Sequence, residues 1–279
     1  MNRNHEVRRF ARLCHSKTGL AIPVTFLILF VSTLIIVSFT YYFAVERIRA
    51  RSQSLKVSMA RENMISLDSD VSSVLWQSSS SRTLDFDDCA GQLNIQPSAN
   101  LLTINVKDNN SIAASVFNST VGWVVYELPY SETADTGLFL KGDSRGIVNQ
   151  SGNSMTQLYI QEGAVHTEIV LRYRPTISYV TAGTQDNKTI NNIRIYVVNL
   201  DPSQTIALMG MIPLRITCES IEDTVTTYDV SYQPTALLVT ANYADSNGQI
   251  SVPISSTSYG AIINVELVLC KIQVDRRVN

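Results

Sequence analysis

The longest apolar run in the chain extends from Leu20 to Val45, 26 residues with no charged side chain anywhere between Lys17 and Glu46. As helix it would be about 39 Å long, enough to cross a bilayer with some tilt. It exceeds the roughly 7 to 15 apolar residues of a secretory signal, and no small-x-small cleavage site follows it. Pro23 removes a hydrogen bond inside a helix but costs little in a first turn, so the spacing predicts a helix that begins near Leu20. Past Glu46 the apolar run stops, yet Ile48, Leu55, Met59, Ala60, Met64, Leu67, Val71, Val74 and Leu75 recur mostly at steps of three, four or seven. No Gly or Pro follows Pro23 before the serine run at 78–81. The pattern predicts one helix over 20–78, apolar all round in its first half (20–45) and amphipathic in its second.

From about Thr83 the period changes to two. Segments 120–128, 167–174, 192–198, 234–243 and 259–274 alternate or run apolar and are rich in Val, Ile, Thr and Tyr, which reads as strands. Polar turns rich in Gly, Asn and Asp separate them, among them GTQDNKT and the hairpin signal ADSNGQ. The expected fold class is α+β: a long N-terminal helix and an all-β, mainly antiparallel sandwich-like head over 79–279. A head of that length also has room for two packed subdomains meeting near Arg174-Pro175.

Charge orients the apolar run. The formal net charge of the 279 residues is -2, but Arg3, Arg8, Arg9, Arg12 and Lys17 stand against Glu6 alone at the N-terminus. By the positive-inside rule that basic flank is cytoplasmic, and everything after about Glu46 lies outside. An acidic exterior portion gives no reason to expect nucleic acid. On this topology Cys14 is separated from Cys89, Cys218 and Cys270, the disulfide candidates; one bridge and one thiol is the simplest oxidised arrangement, with three pairings open.

Motifs for chemistry are sparse. Of His5, His15 and His166 only the last is exterior, and no GxSxG, HExxH or P-loop pattern occurs, so neither enzyme activity nor a cofactor or metal is expected. Asp85, Asp87 and Asp88 offer oxygens to calcium, but no Asp/Asn/Gly ligand loop completes the set and a solvated acidic turn is the simpler reading. Asn109, Asn118, Asn149 and Asn187 each begin an N-x-S/T sequon, about as many as chance supplies. Tyr41, Tyr42 and Phe43 suit a membrane interface or a helix bundle equally. Glu46, Arg47, Arg49 and Arg51 read as a solvated face or as ion pairs between subunits.

A basic leader ending at Gly19, the apolar helix directly after it, an amphipathic continuation and a β-rich remainder resemble the type IV pilin class, in particular archaeal type IV pilins and pilin-like proteins. The resemblance rests on residues 1 to about 78. It implies cleavage between Gly19 and Leu20 by a prepilin peptidase, then transfer by an assembly machinery from the membrane into an extracellular filament of identical subunits. The helix core of that filament would be made by Leu20, Ile22, Pro23, Phe26, Leu27, Leu29, Phe30, Leu34, Ile35, Ile36, Phe39 and Phe43. Adhesion would be the use, and N-glycosylation of some sequons is implied too. Thr25 stands at the fifth position after Gly19, where bacterial type IV pilins usually carry glutamate; archaeal relatives often lack that acid. Archaeal leaders often place a basic residue directly before the glycine, whereas here Thr18 intervenes. The alternatives are an uncut single-pass protein displaying a β-domain for binding and a minor pilin that primes assembly.

Overall fold

The computed structural model describes residues 21–129, 135–163, 166–200, 205–243 and 246–277. Their order is one helix followed by fourteen strands, the α+β arrangement that the two periodicities predict. Helix α1 (Ala21–Val74) is continuous, with Pro23 in its first turn. The chain divides into two compact units, one ending at Gln53 and one beginning at Ser54, so the boundary falls inside α1.

The second unit contains two sheets. One runs in the order β1 (Ser81–Phe86), β11 (Ile212–Val230), β14 (Ala261–Arg276), β9 (Lys188–Leu200), β8 (Thr176–Gln185), β5 (Val148–Asn149). The other runs β13 (Asn247–Pro253), β12 (Ala236–Asn242), β2 (Gln92–Lys107), β3 (Ala113–Pro129), β7 (His166–Tyr173), β6 (Thr156–Glu162), β4 (Phe139–Lys141), with β10 (Ile206–Met209) also on β2. Pairing is antiparallel except for β14 with β9 and β5 with β8.

The register arranges these strands in two storeys. The long strands β2, β3, β9, β11 and β14 run through both; β1, β7 and β10 pair with one half of their length and β8 and β12 with the other, while β6 and then β4 extend the sheet beyond β7 and β13 extends it beyond β12. One apolar core gathers Val57, Ala60, Met64, Leu67 and Val71 of α1 with Leu93, Ile95, Val124 and Leu171 of one sheet and Ile212, Leu214, Ile216 and Ile272 of the other. The second core, built on Leu102, Ile104, Val239, Ile193, Ile195 and Ile263, is sheet against sheet with no helix residue. A strand has a buried face where it meets a core: β14 alternates toward both of its ends, whereas β11 alternates only from Ile212 to Cys218 and is largely exposed over 220–229.

Both sheets change register at the junction. The β2–β3 pairing shifts between Gln96 and Asn100, around Pro97, whose missing N–H is tolerated at such an irregularity. The β11–β14 pairing shifts between Cys218 and Ser220. At this level Gly122 of β3 donates its N–H to Asn199 Oδ1 of β9 at 2.9 Å.

The helix ends at Val74, four residues before the expected boundary. Trp76 and Ser79 turn into the left-handed region (φ 64° and 66°). Ser80 Oγ donates to the carbonyls of Val74 (3.1 Å) and Gln77 (2.7 Å), satisfying groups that a helix end leaves open. Ser79 N–H then bonds Cys218 O at 2.9 Å, and Ser81 is already in β1. The serine run is thus the joint itself rather than a spacer. Arg174-Pro175 is where the chain crosses from β7 in one sheet to β8 in the other. The buried Arg174 guanidinium spans that crossing, donating to Asp143 Oδ1 (2.5 Å), Ser154 O (2.8 Å) and Arg145 O (2.9 Å).

Candidate functional site

The feature that stands out chemically is the first half of α1. Gly19 and Leu20, the expected processing pair, lie outside the described residues. The other eleven positions expected to form a helix core, from Ile22 to Phe43, are all exposed, Ile22 by 76% and Phe26 by 71%. Four of its hydroxyls are satisfied within the helix: Ser32, Thr33, Ser38 and Thr40 each donate to the carbonyl four residues back at 2.7–2.8 Å. Every backbone group inside the helix is likewise satisfied internally, the condition for lying in lipid or against other apolar helices. By length and composition this helix is able to cross a membrane, and a long apolar segment near the N-terminus fits a membrane anchor or a signal sequence. Tyr41, Tyr42 and Phe43 close the run, with the Tyr42 and Phe43 rings edge to face at 6.0 Å.

The second half of α1 is rooted in the head by shape and by one polar cluster. Asp68 is almost fully buried and accepts from Thr156 Oγ1 (2.8 Å) and Tyr173 OH (2.9 Å), and Lys141 closes an ion pair on its other oxygen. Burial, with Asp68 beside it, pushes the Tyr173 hydroxyl well above its usual value, so it remains a donor. Asn63 Nδ2 donates to Asp87 O at 3.0 Å and reaches Cys89 Sγ at 3.4 Å. The periodic pattern missed this cluster because it tracks apolar residues. The signal was an acid, Asp68, directly after Leu67 and four residues on from Met64, on the face of the stripe itself. Three residues that share the helical period, Ile48, Leu55 and Met59, are exposed, by 68%, 57% and 42%, and the buried stripe begins at Val57. They extend the uncovered apolar surface beyond Glu46.

The remaining expected sites scatter over the head. Cys218 and Cys270 meet with their Sγ atoms 3.5 Å apart, whereas Cys89 sits with Asn63 and Tyr126. Asn109 and Asn118 are exposed, as is Asn187, which with Asp186 forms the tip of the β8–β9 hairpin, both at positive φ as a two-residue type I′ turn requires. Asn149 is half-buried, its Oδ1 accepting from Ser151 N–H at 3.2 Å. Asp88 Oδ1 accepts from Ala90 N–H and Asp85 pairs with Arg277 at 3.6 Å. Among the described residues no three His, Cys, Asp or Glu side chains converge as metal ligands.

No protein-family model matches this chain, and neither the curated proteins nor the solved structures contain a match to it.

A cleft of about 490 Å³ on the outer face of the β8–β9–β14 sheet has its amide and charged side chains committed to one another. Asn264 donates to Asn192 at 2.8 Å, Thr227 donates to Asn264 at 2.8 Å, and Arg194 pairs with Glu266 at 2.6 Å. Among the described residues the long run of exposed apolar side chains is on α1.

Proposed function

We propose that this chain is the structural subunit of an extracellular type IV-like filament, a non-enzymatic protein whose apolar half-helices pack together and whose β heads face outward for adhesion. The carrying observation is the contrast within one continuous helix: the Ala60–Val74 stripe is buried in the head, while the apolar side chains from Ile22 to Phe43 are exposed. Burial at about 25 cal/mol per Å² over such a segment is worth tens of kcal/mol per subunit before association costs. Lipid supplies that environment before assembly, and copies of the same helix supply it afterwards. In this reading a prepilin peptidase frees Leu20 on the cytoplasmic side, the heads lie outside the cell, and any occupied sequons are on the filament surface.

The test is the N-terminal sequence and mass of protein sheared from cells, with electron microscopy of the same material. Chains beginning at Leu20 within filaments support the reading. Chains beginning at Met1, recovered only as monomers from detergent-solubilised membranes, replace it with an uncut single-pass surface protein.

A further inference from the structure

Three thiols lie in the described head, and the fold separates them into a pair and a single. Cys218 and Cys270 lie on the adjacent antiparallel strands β11 and β14, where Cys218 faces Ile272 and Cys270 faces Ile221 across the register shift. That shift brings two diagonal neighbours together, with Sγ atoms 3.5 Å apart and both residues fully buried. Cys89 is held elsewhere, touched by Asn63 Nδ2 at 3.4 Å and lying beside Tyr126. We propose that Cys218 and Cys270 are the chain's disulfide pair, joined during oxidative folding, and that Cys89 stays a thiol.

The bond would form at a mechanical junction. Cys218 exchanges main-chain hydrogen bonds with Ser79 (2.9 Å) and Ser80 (3.0 Å), and Cys270 Sγ accepts from the main-chain N–H of Trp76, the residue that ends the helix in the left-handed region. A bridge here would tie β11, β14 and the root of α1 together and close a loop with 52 residues of separation. Chain entropy makes such a closure stabilising through the unfolded state.

Accessibility sets the timing. With both sulfurs sealed in the core and the Cys270 thiol pushed by burial up to about 12, the folded dithiol is a poor nucleophile. Oxidation therefore belongs to the folding chain. One cysteine thiolate attacks a small disulfide such as oxidised glutathione and expels one glutathione thiolate. The second cysteine then attacks the mixed disulfide and expels the other. Two cysteine S–H groups and one glutathione S–S bond become one protein S–S bond and two glutathione thiols. Once formed, the bond is shielded from reductant by the same packing.

The inference is independent of filament assembly and is tested without it. Full-length protein with Cys14→Ser is unfolded in reductant and refolded in detergent with a mixture of reduced and oxidised glutathione. It is then denatured, alkylated without reduction and mapped by peptide mass. The expected result is one linked peptide pair containing Cys218 and Cys270, with Cys89 alkylated. A link to Cys89, or three alkylated cysteines, overturns the proposal. Unfolding midpoints provide a second readout: adding reductant during denaturation lowers the midpoint of the C89S variant and leaves that of C218S/C270S unchanged. Equal sensitivity of the two variants also overturns it.

Discussion

The main-chain N–H of Gly122 points across the sandwich at the side chain of Asn199, and the two sheets touch there backbone to backbone. A Cβ at position 122 would lie 1.6 Å from the carbonyl oxygen of Leu200. The contact falls where the helix-filled core gives way to the sheet-on-sheet core, so the two sheets are pinned together at one glycine between the storeys. Gly122→Ala is expected to cost about 3 kcal/mol or more, because relief requires moving a strand rather than a side chain. Asn199→Ala leaves the buried Gly122 N–H without its acceptor and should cost about 1 to 3 kcal/mol. Urea midpoints of the two variants check both; a Gly122→Ala midpoint equal to wild type would show that the sheets do not meet so closely.

Asp68 determines how the helix sits in the head. Asp68→Ala strips the acceptor from the buried Thr156 and Tyr173 hydroxyls, while Lys141, which is partly exposed, turns to water; the two unmade buried hydrogen bonds make the loss about 2 to 4 kcal/mol. Asp68→Asn keeps one acceptor oxygen and should lose less. Limited proteolysis at Arg61 reports the outcome directly: cleavage should be fastest in Asp68→Ala, intermediate in Asp68→Asn and slowest in wild type.

The Arg174 crossing gives the head an acid-sensitive element. Hydrogen bonds from Arg145 and then Arg174 hold the Asp143 carboxyl well below the usual carboxylate range. A folded pKa below the unfolded value of about 3.8 means that the contribution is fully present above that pH and is lost as pH falls below it. Asp143→Asn should therefore be less stable than wild type at pH 7, with the gap narrowing steadily as pH falls below about 4. Thermal melts across that range measure it, and a gap independent of pH contradicts the assignment.

Charge placed on the exposed half of α1 separates folding from assembly. Phe30→Asp and Ile36→Asp lie at positions exposed by more than half, so the unfolding midpoint of the head should not change. In the proposed filament each variant buries an unpaired carboxylate in an apolar bundle, and shear-recoverable filaments should disappear from the cell surface. Filaments at wild-type abundance from either variant would remove these side chains from the assembly core.

How much of this was readable in advance depends on the range of the interaction concerned. The apolar span and the strand segments around Val124, Ile169, Ile195 and Ile263 were legible because periodicity is a local signal. The expected helix end was four residues late: the stop is made by Trp76 and Ser79 in left-handed conformations and by bonds to Cys218, and neither Gly nor Pro announces it. Ile48, Leu55 and Met59 share the helical period of the buried residues and are exposed, because spacing shows which residues share a face and not where along the helix the head begins to cover it.

By itself the sequence determined that a charge-free apolar helix leads the chain, that the helical period outlasts it and that β structure follows, since each is written in neighbouring residues. Only the tertiary structure decided that the helix is a core element of one storey and absent from the other, that Cys218 rather than Cys89 lies beside Cys270, and that Asp68, Arg174 and Gly122 hold critical positions. Those facts depend on pairings between residues tens to more than a hundred positions apart. Such pairings are set by strand register and sheet closure, and no local pattern of polar and apolar residues encodes them.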